Sequence, residues 1–472
     1  MTVVKRPAYI TRSCPSPDSG FWDDFNPSLE TRVKSASVKS ILEQHFSDLM
    51  KETQDYQSRL RTFHQIMHDS DLVSSDKEAL YKEFVEQEVQ NRRLLRRRMK
   101  VSDFQKIRII GKGGYGLVWL VRDKVTSELY ALKVLRKADI ISQDQLVNVH
   151  TERIILSGGN PWTVNLIFSF QDSEKLYLVL DYMCGGDLMT ALIKSNYFSE
   201  SITRFFCGEI VLALHSLHMM NYLHRDLKPD NILIGQDGHI KLTDFGLSSY
   251  SKLGIPETRN LQILDSLQSL LSEYSAGPAN NPLPNVIHER SNRGNFVGTC
   301  DYTAPEILKG QNPTTASDFW SLGVILYEML FGHPPFSGHS TNETILKIIH
   351  WKRSLNFSHP IQPVSEDAID LIQHLLCDAE DRYSYEQIIS HKFFNSFNFQ
   401  NYKLNQPPMV PVLKNRLDTC HFDSFDENTE EPLSPKGDIV PGGDLAKIAF
   451  WGYTFKKHSA NQALLRLGAD LF

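Results

Sequence analysis

Cysteine is scarce in this chain, with six residues among 472 and no CxxC spacing between any two of them. This argues against a disulfide framework and against a zinc ribbon, because both need cysteines in close, regular pairs. Long apolar runs are absent too, so no membrane-spanning helix is expected. The N-terminus, MTVVKRPAYI, lacks the apolar core of a secretion signal. We therefore expect a cytosolic or nuclear protein with free thiols.

An excess of positive charge is also missing. The net charge is −6 and the isoelectric point is near 6.3, which argues against attraction of the whole protein to nucleic acid but leaves local basic patches open. The composition is 41% hydrophobic, enough to fill a core and to exclude global disorder. The length allows a two-lobed catalytic domain with extensions.

The first hundred residues predict a flexible segment followed by a helical hairpin. Residues 1–36 are rich in Pro, Ser and Asp. Residues 37–103 then show apolar positions at i, i+3 and i+4 on both sides of a polar break, HDSDLVSSDKE. Such spacing is typical of amphipathic helices, and Ser75 or Asp76 can cap the second of them.

The remainder predicts an α+β fold in two lobes. From Phe104 to about Leu135 the pattern is that of β-strands, and from Ser199 helical patterns dominate. Strands first and helices afterwards favour a β-rich lobe and an α-helical lobe over residues 104–394. A polar insertion occupies about 250–295, and the Pro-, Asn- and Asp-rich tail over 395–472 is expected to wrap over a surface.

A glycine-rich stretch, GKGGYGLV, fits the pattern G-x-G-x-x-G-x-V. Glycines let a hairpin lie close to phosphates, with backbone N–H groups facing the anion. Alone the pattern is weak, since glycine-rich β-turns are common. The candidate phosphate-binding residues are Gly111, Lys112, Gly113, Gly114, Tyr115, Gly116, Leu117 and Val118.

Two charged residues that can take part in phosphate binding follow the glycine-rich stretch. Lys133, in YALKVL, can meet the α- and β-phosphate oxygens, and Glu152, in HTERIIL, lies on a predicted helix and can pair with Lys133. Each of them alone would be an ordinary solvated surface charge.

The stretch HRDLKPDN is much more specific. Asp226 can accept a hydrogen bond from a substrate hydroxyl, and Lys228 can neutralise a transferring phosphoryl group. Asn231 offers an amide oxygen to Mg²⁺, and Asp244, in DFG, offers a charged one. Phosphoryl transfer needs positioned metal and charge rather than covalent chemistry, and this set supplies both.

The ordered set resembles the eukaryotic protein kinases over residues 104 to about 394. The motif APE ends the same segment, where Glu306 has a natural ion-pair partner in Arg382. The resemblance implies ATP and Mg²⁺ as cofactors. The motifs KPDN and GTCDYTAPE indicate serine or threonine, rather than tyrosine, as the residue that accepts the phosphoryl group.

The hinge, LVLDYMCGGDL, adds the adenine and substrate sites that the resemblance implies. Leu180 takes the gatekeeper position, and the backbone from Asp181 to Met183 meets adenine. Asp187 lies near the ribose and can face a basic side chain of the peptide, and Asp230 shares that rim. Paired acids beside a peptide groove favour basic substrates, although each could be ordinary surface acid.

Two rival functions remain open from the residues. A pseudokinase scaffold normally has a broken Lys, HRD Asp or DFG Asp, and none is broken here. A nucleic-acid binder is suggested by NRRLLRRRMK alone. Binding of ATP–Mg²⁺ together with labelling of a serine peptide would separate a kinase from both.

Three features outside the core resemble the NDR/LATS group of AGC kinases. The first is FWGYTFKK, similar to a C-terminal hydrophobic motif, with Thr454 at the phosphorylatable position. The second is the long insertion after Asp244, and the third is the N-terminal hairpin. The stretches FSGHSTNETILKIIHWKRSL and GGYG resemble most closely the branch that acts in mitotic exit and septation. This resemblance covers about residues 37–457 and implies a cytoplasmic protein at spindle poles or the division site.

That family's partner is a Mob adaptor, which binds the N-terminal hairpin. If the basic run, NRRLLRRRMK, forms a helix, that helix is amphipathic and cationic, and it would suit an acidic groove on the partner. A nuclear-import signal, attraction to a membrane surface, or a merely solvated face are the rival interpretations. The partner-binding candidates are Arg92, Arg93, Arg96, Arg97 and Arg98.

The chain departs from the family at two positions. Asn295 stands where the activation segment would carry a phosphorylatable Ser or Thr, and Cys300 stands where Pro is usual. Since Asn cannot be phosphorylated, we expect control to shift to the adaptor and to an upstream kinase acting on Thr454. A further hypothesis is that the Leu/Ile patch of the insertion holds Glu152 away from Lys133 until the adaptor binds.

Overall fold

The fold is described from a computed structural model. It gives the structure of residues 29–69, 74–113, 116–143, 145–250, 300–358, 361–423, 425, 450 and 453–456. In this part of the chain, no helix is long and apolar enough to cross a bilayer.

Two antiparallel helices form the N-terminal hairpin, as predicted. The ring of Phe63 stacks on that of Phe84 at 4.4 Å, and Arg59 Nε donates to Glu88 Oε1 at 2.7 Å, so the hairpin has its own small apolar contact and ion pair. The helices are α1 (Leu29–Asp69) and α2 (Ser74–Arg96).

Both outer ends of this hairpin differ from the predicted ones. Helix α1 already includes residues 29–36, which were predicted to be flexible. No proline or glycine follows Pro27 in this stretch, so nothing in the sequence interrupts the helix. Helix α2 ends at Arg96, inside the basic stretch NRRLLRRRMK, and Arg97 then turns toward the small lobe.

The small lobe is a six-stranded antiparallel sheet in the order β1-β2-β3-β5-β4-β10. Its apolar face packs on helix α4, where Val149, Ile155 and Leu156 are buried. The strands are β1 (Phe104–Gly113), β2 (Gly116–Asp123), β3 (Leu129–Arg136), β4 (Leu166–Gln171), β5 (Lys175–Asp181) and β10 (Phe455–Lys456), and the helices are α3 (Lys137–Ser142) and α4 (Leu146–Ser157).

The large lobe is mainly helical and is built around α6 and the almost wholly buried α8. Two short antiparallel strand pairs, β6–β9 and β7–β8, flank the HRD and DFG segments. The helices are α5 (Leu188–Ser195), α6 (Glu200–Met219), α7 (Pro305–Leu308), α8 (Thr315–Phe331), α9 (Thr341–Ile349), α10 (Trp351–Ser354), α11 (Glu366–Leu375) and α12 (Tyr385–Ile389). The strands are β6 (Tyr222–Leu223), β7 (Ile232–Ile234), β8 (Ile240–Leu242) and β9 (Ser249–Tyr250). The α+β, two-lobed prediction is confirmed.

The tail after α12 runs back over the large lobe to the hinge between the lobes. Gly186 has a φ of +73°, and a Cβ there would come within 2.2 Å of the carbonyl oxygen of His421. At Gly185 a Cβ would meet Pro411 at 2.7 Å. The two hinge glycines therefore leave room for the tail to lie directly on the hinge.

Candidate active site

A lysine held by two carboxylates lies under the small-lobe sheet. Lys133 is on β3, and its Nζ is 2.6 Å from Glu152 Oε1 on α4 and 3.4 Å from Asp244 Oδ1. Burial would lower the pKa of Lys133, but the two carboxylates outweigh it and raise the pKa above its ordinary value. The predicted pairing of Lys133 with Glu152 is confirmed, and the ammonium stays charged at physiological pH.

The contact between Lys133 and Glu152 bears on the hypothesis that the insertion holds these two residues apart. Lys133 and Glu152 are paired in the structure. The insertion and Asn295 lie outside the described residues, so the hypothesis that the insertion controls this pair stays a prediction.

The glycine-rich hairpin covers the same space from above. Gly111, Lys112 and Gly113 end β1, and Gly116, Leu117 and Val118 begin β2. A Cβ at Gly116 would fall 1.7 Å from the carbonyl oxygen of Val134, so the strands approach as closely as they do only with glycine there. Gly114 and Tyr115, at the tip, lie outside the described residues.

The catalytic loop brings three predicted residues together. Asn231 Nδ2 donates to the backbone oxygen of Asp226 at 2.8 Å and to its Oδ2 at 3.1 Å. Lys228 Nζ lies 3.1 Å from the same Oδ2. Asp226 is thus oriented by two neighbours and is only half-buried, which leaves its carboxylate accessible to a hydroxyl.

Asn231 in this loop and Asp244 in the DFG segment offer oxygen ligands for a metal ion. Because Asn231 uses its nitrogen on Asp226, its amide oxygen is left to point elsewhere. Lys133 holds the pKa of Asp244 below its ordinary value, so that carboxylate is ionised. An amide oxygen and a carboxylate are hard ligands that fit Mg²⁺, which is usually held by one or two carboxylates together with substrate phosphates.

Asp318 anchors the catalytic loop from below, and sequence reasoning missed it. It lies on α8, fully buried, and accepts hydrogen bonds from the backbone N–H groups of His224 and Arg225 at 3.0 and 2.9 Å. The ring of His218 contacts its Oδ2 at 2.8 Å. Arg225 has a φ of 66°, in the left-handed region, and this anchor helps to hold it there. A buried Asp within an otherwise apolar helix, SDFWSLG, was the available signal.

The side chains of the hinge residues make contacts of their own, and the predicted adenine contact of their backbone stays a prediction. The side chain of Asp181 accepts from Asn165 at 2.7 Å and from Lys241 at 3.0 Å, so it turns away from the cleft and ties the hinge to the large lobe. Met183 is buried in the main core. Asp187 caps α5, accepting from the N–H and the hydroxyl of Thr190 at 2.7 and 2.9 Å.

A third acid, Glu328, is influenced electrostatically by Asp230, one of the two acids predicted to read basic substrates. Burial raises the pKa of Asp187, and Asp230, which is exposed, contributes to that increase. Glu328 on α8 accepts from Tyr302 Oη at 2.6 Å, and burial together with the charges of Asp230 and Asp301 raises its pKa from 4.5 to about 7. Sequence reasoning missed Glu328, for which the available signal was the same as for Asp318, an acid among the apolar residues of α8.

The end of the activation segment is anchored by an ion pair and a closed turn. Arg382 and Glu306 form a bidentate ion pair at 2.7 and 3.2 Å, which confirms the predicted partnership. Cys300 is buried, and its carbonyl accepts from the N–H of Thr303 at 2.9 Å. The turn before APE is therefore closed without the usual proline.

The basic run does not form one continuous solvent-facing helix. Arg92, Arg93 and Arg98 are exposed. Arg97 lies beyond the end of α2, 3.1 Å from Asp123 and 3.5 Å from Asp103, both in the small lobe. Arg97 therefore makes ion pairs within the chain, and its role in partner binding stays a prediction. Arg96 is the last helical residue, and its side chain lies outside the described set.

The C-terminal motif docks on the small lobe as the outer strand of its sheet. Phe455 pairs with Ser169, and the backbone oxygen of Phe450 accepts from Gln171 Nε2 at 2.7 Å. Phe450 and Tyr453 are fully buried against His150 of α4, whereas Thr454 is exposed. The motif therefore rests on the helix that carries Glu152.

Beside this motif, two basic groups lie together. Lys456 Nζ donates to the backbone oxygen of Arg97 at 3.3 Å. Burial and the nearby Arg97 guanidinium lower the pKa of Lys456 to about 8. The C-terminal motif is thereby joined to the linker that follows the N-terminal hairpin.

Comparison with known proteins agrees with this geometry. The family model "Protein kinase domain" matches residues 104–262 and 283–394. The chain is 36% identical over 468 residues to "Probable serine/threonine-protein kinase ndrB" of Dictyostelium discoideum, covering 93% of this chain and 84% of that protein. It is 34% identical to "Serine/threonine-protein kinase tricornered" of Drosophila pseudoobscura pseudoobscura, covering 90% and 94%.

A longer relative is matched over less of its length. The chain is 38% identical over 450 residues to "Serine/threonine-protein kinase Warts" of Drosophila melanogaster, covering 91% of this chain but 40% of that protein. The match therefore spans under half of Warts. Together with the kinase-domain match and the near full-length relatives, it establishes that the chain belongs to the NDR/LATS family of serine/threonine protein kinases.

Proposed function

We propose that this chain transfers the γ-phosphoryl group of ATP to serine or threonine hydroxyls of proteins, with Mg²⁺ as cofactor. The observation that carries the proposal is the convergence of Lys133, Glu152 and Asp244 within 3.4 Å, beside Asp226 and its positioning neighbours. The names of the relatives support the same activity.

Each residue then has a defined task. Asp244 and the amide oxygen of Asn231 would hold Mg²⁺, which supplies charge neutralisation at the phosphates when bound. Lys133 contacts phosphate oxygens, and Glu152 keeps its ammonium in place. Asp226 accepts a hydrogen bond from the substrate hydroxyl and orients that oxygen for attack, while Lys228 opposes the negative charge of the transferring group.

Basic peptides are the substrates that the acidic rim favours. Asp230 influences both Asp187 and Glu328 electrostatically, which supports placing the three acids near one another. An arginine side chain brought into this region would form charge-assisted contacts, which are roughly twice as strong as neutral hydrogen bonds. We therefore infer a preference for Ser or Thr with Arg a few residues upstream.

The pH dependence of peptide recognition tests this inference. Glu328 is about half-ionised near pH 7 and gains charge as the pH rises, so KM for an arginine-containing peptide should fall several-fold between pH 6 and 8. A peptide with Ala in place of Arg should bind more weakly and show a smaller change with pH. Glu328→Gln should flatten the profile of the arginine peptide. Equal KM values for the two peptides at every pH would contradict the basic preference.

We also propose that the N-terminal hairpin binds a Mob adaptor through its exposed arginines. Arg92 and Arg93 lie on α2 and Arg98 follows it, all open to solvent. Arg96 stays in this proposal as the last residue of the helix. Cell-cycle signalling at spindle poles or the division site, and an upstream kinase for Thr454, complete the proposal by resemblance to the family.

Charge reversal on α2 tests the adaptor proposal. Arg92→Glu together with Arg93→Glu should reduce capture of a Mob protein at least tenfold, with the residual binding weakening further as salt is raised. The matched control is Lys77→Glu with Lys82→Glu, the same charge change on the same helix. If both double variants bind Mob as the unmodified chain does, the arginines form only a solvated face.

A further inference from the structure

A short tail segment is stretched across the hinge and attached to the large lobe. The ring of Phe422 stacks on that of Tyr182 at 5.7 Å, and Tyr182 Oη donates to the carbonyl of Asp418 at 3.1 Å. From α5, Lys194 Nζ donates to the carbonyl of Cys420 at 2.8 Å. These contacts fix the backbone of the segment beside the entrance to the cleft.

The same segment meets the small lobe at a threonine hydroxyl. Arg108 Nη1, on β1, donates to Thr419 Oγ1 at 2.8 Å. Both residues are half-buried, and no carboxylate in the described part of the chain lies within ion-pair distance of Arg108. The Arg108 guanidinium therefore donates to a neutral hydroxyl oxygen. It would bind an anionic oxygen more strongly.

The sequence before Thr419 is that of a basic-context substrate. It reads Lys414-Asn-Arg416-Leu-Asp-Thr419, with an arginine three residues and a lysine five residues upstream of the hydroxyl. Lys414 and Arg416 are both exposed. The context matches the substrates inferred for this enzyme, so the inference below rests on the proposed function.

We propose that Thr419 is a phosphorylation site of this kinase, modified by a second copy of the chain. The Thr419 hydroxyl oxygen would attack the γ-phosphorus of ATP, breaking its bond to the β,γ-bridging oxygen and releasing ADP. The hydroxyl proton passes toward Asp226 of the copy that acts as enzyme. Side-chain and backbone hydrogen bonds hold the segment in place. Local opening, in which these bonds break, can present Thr419 to the active site of the other copy.

The phosphate would convert a neutral contact into an ion pair with Arg108. Such a pair can be bidentate, because a guanidinium presents parallel N–H groups to phosphate oxygens. The carboxylate of Asp418, the residue before Thr419, already accepts from the backbone N–H groups of Lys414 and Cys420, at 2.9 and 3.0 Å. The phosphorylated tail would tie the large lobe to β1, the strand that leads into the glycine-rich hairpin.

Transfer between copies is the first test. The full-length chain would be incubated with ATP–Mg²⁺ and with an inactive Asp226→Ala copy as substrate, and Thr419 occupancy would be read by mass spectrometry. We expect Thr419 of the inactive copy to be labelled, and Arg416→Ala in that copy to reduce its labelling at least tenfold. An arginine-containing serine peptide in the same reaction is the reference. A labelled peptide with an unmodified Thr419 overturns this inference alone, whereas an unlabelled peptide overturns the proposed function.

The effect on the cleft is the second test. Phosphorylation of Thr419 should lower KM for ATP about fivefold, the low end of typical coupling between sites. Arg108→Gln should still be labelled at Thr419 but should lose this gain, because the receptor for the phosphate is missing. Thr419→Val should behave as the unphosphorylated chain under all conditions. An equal gain in the Arg108→Gln variant would contradict the assignment of Arg108 as receptor.

Discussion

Replacing Asp226 with alanine is expected to lower the turnover number for peptide phosphorylation by roughly a hundred- to ten-thousandfold. Asp226 is the carboxylate that faces the substrate hydroxyl, and Asn231 and Lys228 orient it at 3.1 Å each. Neither neighbour can accept the hydrogen bond in its place, since both present donors to this side of the loop. KM for ATP should change little, because the phosphates are held by Lys133 and the metal ligands.

The control for Asp226→Ala is another aspartate of the same lobe. Asp237 is an exposed carboxylate in the turn between β7 and β8, so Asp237→Ala should retain the full rate. Asp226→Asn keeps the size of the side chain and should still be inactive. Full activity in the Asp226 variants would contradict the assignment of Asp226, whatever their stability.

Thr454→Ala is expected to lower activity about 5- to 150-fold, the range spanned by coupling free energies of 1–3 kcal/mol. Thr454 is exposed in a motif whose neighbours Phe450 and Tyr453 are buried against α4. A phosphate there would add a charge near −2 two residues before Lys456, whose pKa is lowered to about 8 by burial and by Arg97. The phosphate would offset the repulsion between these two cations and so stabilise the docked motif.

Docking and phosphorylation can be separated by a second variant. Phe450→Ala leaves Thr454 available but removes a fully buried ring, a loss of about 3–5 kcal/mol of packing in a typical core. We expect it to be as inactive as Thr454→Ala even when Thr454 is phosphorylated. Thr126→Ala, in an exposed turn of the small lobe, is the matched control and should be fully active. Full activity in Thr454→Ala would show that control lies elsewhere.

The fold and the catalytic set could be predicted from the sequence because their signals are local. Each catalytic residue stands at a fixed offset within a short motif, and the order of the motifs follows the order of the strands and loops. The pairing of Lys133 with Glu152 and that of Glu306 with Arg382 could be inferred from these motifs alone. Both are present in the structure.

The remaining features depend on contacts between residues far apart in the chain. Asp318 is separated from the loop it anchors by about ninety residues, and no motif connects them. The basic run could not reveal that Arg97 pairs with Asp123, because periodicity describes a helix and says nothing about what lies past its end. The contact of Thr419 with Arg108 joins residues 311 positions apart.

Transfer of labelled γ-phosphate from ATP–Mg²⁺ to an arginine-containing serine peptide tests the central claim most directly. The full-length chain, phosphorylated at Thr454 and supplied with a Mob protein, should label the peptide in many turnovers. A preparation carrying Asp226→Ala should give only background. A chain that binds ATP–Mg²⁺ yet labels the peptide no faster than that variant would be a scaffold, and the claim that this protein acts as a serine/threonine kinase would be wrong.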